Sequence, residues 1–230
     1  MSIETRYRRL RAELDQECVS CGRRPEEVTL LAVSKTVGVS EVKQALAVGA
    51  HDFGENRPEQ LVEKQRMLPE AKWHFIGNVQ SRKIHEIVEH ATLIHSLYEP
   101  RHIEKVATVA ASIGKVQRIL LEVNVSGEES KSGLAPDEVA DMLRFCGEFP
   151  AVEVCGLMTM APRGSQADIV ECFEGLASLQ KRLIKDVCPG ISQANLHELS
   201  MGMSEDWRYA VPLGATIVRI GRAIFDDAFE

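Results

Sequence analysis

The sequence predicts an α/β chain folded as a single (β/α)8 TIM-type barrel, with an extra helix ahead of the first strand. Three observations carry that expectation. Short apolar runs alternate with amphipathic helical patterns eight times along the chain, as parallel βα units do. The length, 230 residues, suits eight such units in one domain. The first apolar run leads into Ser34-Lys35-Thr36, not into the glycine-rich turn that opens a doubly wound dinucleotide-binding sheet. No stretch rich in Pro, Gly and Ser divides the chain, so residues 1–230 are expected to form one domain.

Thr5–Gly22 reads as the extra helix, placed to plug the N-terminal face of the barrel. The first strand is Thr29–Val33, followed by a helix at Ser40–Ala47. A short second strand, His51–Phe53, leads to a helix at Glu59–Met67. Trp73–Ile76 and Val79–Glu89 form the third unit, Thr92–Ile94 and Pro100–Ser112 the fourth, Arg118–Val123 and Pro136–Phe145 the fifth. The sixth strand, Glu153–Leu157, precedes Asp168–Val187, where Ile169, Cys172, Phe173, Leu176, Leu179, Leu183 and Val187 keep a helical apolar stripe. Leu196–Leu199 is the seventh strand, with a short helix starting near Ser204, and Thr216–Arg219 is the eighth.

Composition narrows the partners. Lys and Arg total 27 and Asp and Glu total 34, a net charge of −7 that gives no footprint for nonspecific nucleic-acid binding. Hydrophobic residues at 44% exclude a disordered chain, and aromatic residues at 5% leave the core to aliphatic side chains. Met1–Leu14 is charged throughout, so no signal-peptide apolar region is present, and no run approaches a membrane span. The expectation is a cytoplasmic monomer with no membrane and no nucleic-acid partner. Cys18 and Cys21 form a lone CxxC at the end of a helical pattern, and the other four cysteines are scattered. Free thiols in a reducing compartment account for them, and no metal site is expected.

In a barrel of this kind function gathers where the strands end. The ends here read Ser34-Lys35, Gly54-Glu55-Asn56-Arg57, Gly77-Asn78, His95-Ser96, Asn124, Met158-Thr159-Met160, Ser200-Met201-Gly202-Met203-Ser204 and Arg219-Ile220-Gly221-Arg222. Each alone is ordinary turn chemistry; together they line one mouth with polar groups. Lys35 follows a buried run, and partial burial there disfavours the ammonium form, leaving an amine able to condense with an aldehyde. A lysine snorkelling at the rim is the other reading. The loops after strands seven and eight commonly form a phosphate site in barrels. Ser200 and Ser204 offer hydroxyls there, and Gly221-Arg222 opens the last helix with free backbone N–H groups. Arg219, inside an apolar run, needs a partner: a carboxylate, a phosphate or a ring nitrogen. An amine, a phosphate cradle and such an arginine are the parts of a pyridoxal 5′-phosphate site. His74 and His95 lie in strand runs, packed or turned toward the mouth.

The blocks Ala32–Thr36, Phe53–Arg57, Trp73–Gln80, Asn124, Lys131-Ser132-Gly133, Gly156–Met160, Leu199–Ser204 and Val218–Gly221 run through nearly the whole chain. In these residues the sequence resembles the pyridoxal phosphate homeostasis protein family, single-domain relatives of the alanine racemase N-terminal barrel. The resemblance implies that Lys35 holds pyridoxal 5′-phosphate as an internal aldimine and that Arg219 faces the pyridine nitrogen. It implies that Ser200, Gly221 and Arg222 surround the phosphate, with Asn56 near it, and that Met158 and His74 lie close to the ring. One position departs: relatives usually carry Thr where this chain has Arg222, so that hydroxyl contact is lost; the backbone N–H could still bind, and the guanidinium could bind phosphate bidentately or point to solvent.

An arginine beside the ring nitrogen disfavours its protonation, because adjacent cations repel, and an unprotonated ring is a weak electron sink. Alanine racemases, as the resemblance implies, add a tyrosine from a second domain on the opposite face. Here the sequence runs eleven residues past Arg219, and Tyr7, Tyr98 and Tyr209 fall in no strand-end block. The expectation is a protein that buffers, carries or delivers the cofactor to client enzymes with little or no catalysis; the alternative is a pyridoxal-phosphate-dependent amino-acid racemase, with Lys35 as one of its two acid/base groups.

Overall fold

The computed structural model describes residues 1–191 and 194–229. Eight parallel strands close into a barrel in chain order, with the last pairing back onto the first. They are β1 (Thr29–Val33), β2 (Asp52–Glu55), β3 (Lys72–Phe75), β4 (Leu93–Leu97), β5 (Gln117–Glu122), β6 (Val152–Met158), β7 (Ala194–Ser200) and β8 (Ile217–Ile220). The helices are α1 (Ile3–Ser20), α2 (Val39–Leu46), α3 (Pro58–Met67), α4 (Ile84–His90), α5 (Pro100–Ser112), α6 (Val139–Cys146), α7 (Gln166–Asp186), α8 (Trp207–Ala210) and α9 (Arg222–Phe225).

Period-two alternation divides the core into two layers. Leu31, Leu93, Leu120, Cys155, Met158 and Ile217 point into the barrel with Ile76 beside them. Phe53, Trp73, Phe75, Ile94, Leu121, Leu157 and Val218 point outward and join the inner faces of the helices. Gly156 shows how closely β6 and β7 approach: a Cβ there would lie 1.9 Å from the Glu198 carbonyl oxygen. Its register with β7 is also where β6 carries an irregularity, between Val154 and Gly156.

Several boundaries differ from the expected ones, mostly for one reason. β2 runs on to Glu55 and β4 to Leu97 because their polar residues are buried and paired; Glu55 and His95 are both 0% exposed. An apolar-run reading stops at such residues. α7 starts at Gln166, two residues early, because Ser165 caps it: its hydroxyl accepts from Asp168 N–H while Asp168 Oδ2 accepts from Ser165 N–H. The third unit has a 3₁₀ turn at Ser81–Lys83 before α4.

The extra helix is present, but it lies on the flank and not across the floor. α1 packs against α2 and α9, neighbours in the ring on either side of the β1–β8 seam. The reason is the brevity of α9, which leaves a gap in the ring that α1 fills. Arg6 Nε donates to the Ile224 carbonyl at 2.7 Å, and Arg23 Nη1 donates to the carbonyls of Val211 and Ala215, each at 2.8 Å.

Candidate functional site

The inward positions at the C-terminal ends of the strands form one mouth. Lys35 continues the inward parity of Leu31, Asn56 that of Asp52 and Gly54, and Arg219 that of Ile217. Arg219 is 6% exposed and well held: Nη1 donates to Ser200 Oγ at 2.8 Å and Nη2 to the Thr159 carbonyl at 2.9 Å. Burial pulls its pKa down to about 10, against the pull of Asp206 and Glu122, so the guanidinium stays charged at neutral pH. Glu122 is shifted in the complementary sense: burial raises it while Arg219 draws it back.

Asn56 Oδ1 is buried without a hydrogen-bond partner. Buried carbonyl oxygens are rarely left so, and this one belongs to a mouth residue. Gly221 sits against β1, where a Cβ would come within 3.0 Å of the Val33 carbonyl oxygen, so the backbone there accepts little side-chain bulk. Met158, 3% exposed, lies among the inward apolar residues below the mouth.

Two expectations are corrected. Lys35 is exposed, in contrast to the partial burial expected from the run before it. β1 ends at Val33, and Lys35 lies in the turn beyond. The burial falls to Ser34, 0% exposed on the helix side of the sheet. Tyr98 directly follows β4, which is longer than expected, and so does occupy a strand-end position. Its ring lines a groove with Leu134, Met142 and Phe145, none of them a mouth residue.

Arg222 stands at the mouth by its backbone only. Its Nη2 lies 2.9 Å from Glu205 Oε1, and its guanidinium packs 5.0 Å from the centre of the Phe229 ring. Ser200 is the last residue of β7 and 0% exposed. Its hydroxyl lies 2.9 Å from His95 Nδ1, and His95 Nε2 lies 2.9 Å from His74 Nδ1, whose other nitrogen is 3.2 Å from Asp52 Oδ1. His74 thus reaches the mouth through His95 rather than directly.

His95 is held far below the ordinary imidazole range, first by burial and then by the nearby His74 and Arg219. The folded protein therefore keeps this ring neutral while the unfolded chain takes up a proton below about pH 6.5. Stability is expected to fall as pH drops below that value, by up to about 1.4 kcal/mol per pH unit from this one group. Denaturant melts of the parent and of His95→Gln on both sides of that pH check it: the variant's acid slope is expected to be shallower, and equal slopes would contradict the assignment.

A second polar cluster lies on the helix side of β1 and β2. Lys64 of α3, 2% exposed, donates to Glu55 Oε1 at 2.5 Å and to the Ser34 carbonyl at 2.8 Å. Ser34 Oγ donates to Glu55 Oε1 at 2.6 Å. The Gln60 amide nitrogen, turned inward, donates to Glu55 Oε2 at 3.1 Å and to the Lys35 carbonyl at 3.2 Å. The cluster grips the backbone that carries Lys35. A spacing signal existed in hindsight: Gln60 and Lys64 lie four apart on α3, on one helix face. Among the described residues no group of His, Cys, Asp and Glu could hold a metal ion.

The model of the alanine racemase N-terminal domain family matches residues 11–228. The pyridoxal phosphate homeostasis protein of Aquifex aeolicus is 34% identical over 230 residues, covering 99% of each chain. That of Deinococcus radiodurans is 39% identical over 205 residues, 89% of this chain and 91% of its own. Among solved structures, PipY of Synechococcus elongatus without pyridoxal phosphate superposes with a TM-score of 0.86 at 32% identity, over 97% of this chain and 100% of that one. The same protein with pyridoxal phosphate bound gives 0.78 at 31% identity, over 92% and 99%. An alanine racemase of Clostridium difficile, 13% identical with a TM-score of 0.74, shares the fold over 96% of this chain and 58% of its own.

Proposed function

The chain belongs to the pyridoxal phosphate homeostasis protein family, built on the alanine racemase N-terminal barrel, and from that premise we propose that it holds pyridoxal 5′-phosphate at the mouth and buffers, carries or delivers it. The observation that carries the reading is the set of groups at the mouth: an exposed amine on Lys35, a buried cation on Arg219 and an unpartnered buried acceptor on Asn56. A phosphorylated pyridine aldehyde presents an aldehyde carbon to the amine and an acceptor ring nitrogen to the guanidinium. When bound, it supplies an aldehyde carbon open to amines and a conjugated ring that draws electrons.

The chain's own residues define what can be done with that group. Lys35 reaches the mouth from a turn fixed by the Glu55–Lys64 cluster, and its exposure suits a hold that must be reversed. Arg219 would meet the ring nitrogen and, already cationic, disfavours a second positive charge beside it. That weakens the ring's pull on electrons and favours holding over carbanion chemistry. The backbone N–H groups of Gly221 and Arg222, at the start of α9, would take the phosphate. Arg222's side chain, engaged with Glu205, adds no direct contact there. Every one of these residues comes from one chain, so a monomer suffices. All six cysteines are free thiols, which suits work in the reducing cytoplasm. The clients are enzymes that depend on the same cofactor.

Gel-filtered protein incubated with pyridoxal 5′-phosphate is expected to keep a visible chromophore at one per chain, and with pyridoxal, which lacks the phosphate, to keep far less. Equal retention of the two, or retention of neither, would count against the reading. Recovery of activity by a cofactor-free enzyme mixed with the loaded protein tests delivery.

A further inference from the structure

A row of polar side chains crosses the barrel from floor to mouth, and the reading above uses only its last members. Asp52 is the first residue of β2, at the floor, with its side chain 21% exposed. His74, His95 and Ser200 follow it at 3.2, 2.9 and 2.9 Å, and Arg219 donates to the same Ser200 oxygen at 2.8 Å. His95 and Ser200 are 0% exposed, so water does not compete for these bonds.

Counting donors fixes the polarity of the row. A neutral imidazole has one N–H and one lone pair, and a carboxylate only accepts. His74 must therefore carry its hydrogen on Nε2, facing Asp52, and accept at Nδ1. His95 then donates from Nε2 and accepts at Nδ1, where Ser200 gives up its hydroxyl hydrogen. With both rings neutral, no other arrangement makes every contact a hydrogen bond. One added proton reverses the upper half. Protonated His74 donates from both nitrogens, His95 accepts at Nε2 and carries its hydrogen on Nδ1, and Ser200 now accepts from both His95 and Arg219. The hydroxyl hydrogen is released, and in a buried place it needs an acceptor. An anion at the mouth would supply one.

We propose that Asp52, His74 and His95 are positioning residues that couple entry of a phosphate-type dianion at the mouth to uptake of one proton on the histidine pair, with the Ser200 hydroxyl as the group that turns. The inference rests on the reading of the mouth as a phosphate-ligand site. The Asp52 carboxylate lies 3.2 Å from His74 Nε2 at one end of the pair; at the other end His95 faces Arg219 and is held neutral by burial, by His74 and by that cation. Lys72 and His51 act on Asp52 at the floor. Glu122 of β5 and Asp206 of the loop after β7 act on Arg219. β6 contributes the Cys155 thiol, which accepts from Arg118, with Glu153 and Glu198 beside that arginine. β1 and β4 contribute Leu31 and Leu93.

Sulfate is the probe, because it remains a dianion between about pH 5 and 8, the window in which histidine changes charge. Calorimetry of sulfate binding in buffers of different ionisation enthalpy is expected to show net proton uptake. Affinity should rise as pH falls, by at most about tenfold per pH unit for one linked proton. Asp52→Asn removes the carboxylate that holds the proton, at a partly exposed floor position. It is expected to move the midpoint of this dependence down by about one pH unit or more. His95→Gln is expected to abolish the uptake while Arg219 still gives some affinity; should that variant not fold, Asp52→Asn decides alone. Binding without proton uptake, no sulfate binding at any pH, or an Asp52→Asn profile equal to the parent's would overturn the inference. Failure of pyridoxal phosphate to attach to Lys35 would remove the proposed function and leave proton-linked sulfate binding standing. Attachment with pH-independent sulfate binding would remove the relay alone.

Discussion

Lys64→Met is expected to lower stability by about 3–5 kcal/mol, because it leaves the Glu55 carboxylate buried without its cation. Lys64 is 2% exposed and Glu55 0%, so water cannot take the place of the ammonium. In a chain of this size that loss lowers the melting temperature by on the order of 10 °C. The second charge explains the size of the effect. In the double variant with Glu55→Gln the orphaned charge is gone, and part of the loss is expected to return. Urea melts of the parent, both single variants and the double variant check this. Additive losses would show that the two groups act independently. The same cluster holds the carbonyls of Ser34 and Lys35, so the single variant should also hold its ligand less tightly where it still folds.

Lys35→Ala carries the opposite expectation. Its side chain is exposed, and exposed substitutions away from special backbone usually change stability within about 0.5 kcal/mol. The variant is expected to melt like the parent and to lose the visible band formed with pyridoxal 5′-phosphate. Of two residues that touch the same short backbone segment, Lys64 is thus predicted to support the fold and, through it, the ligand, and Lys35 the ligand alone. A Lys35→Ala protein that keeps the band would place the attachment elsewhere.

The two variants also show how far the sequence could be read. Alternation of apolar runs and helical stripes was enough for eight strands, their order and the closed barrel, because parallel strands covered by helices are nearly continuous in hydrophobicity. Lys35, Ser200 and Arg219 were visible because each interrupts or directly follows such a run. Glu55, Lys64, Asp52 and His95 were legible as residues but not as partners. A buried charge looks like a surface charge in sequence, and only the fold brings β2, α3 and the turn after β1 together. The strand ends at Glu55 and Leu97 were missed for the same reason: pairing let polar residues continue a buried strand. Position at the end of an apolar run was likewise a poor guide to burial. It placed Lys35 inside, whereas the chain turns after Ser34 and leaves the amine accessible.

Reduction of the loaded protein with borohydride, followed by peptide mapping, bears most directly on the account. It joins ligand, residue and chemistry in a single covalent product. The account predicts one pyridoxyl group per chain, on the peptide containing Lys35, and none on that peptide when pyridoxal 5′-phosphate is omitted. A stable label confined to other lysines, or no label on a protein that has taken up the ligand, would contradict it.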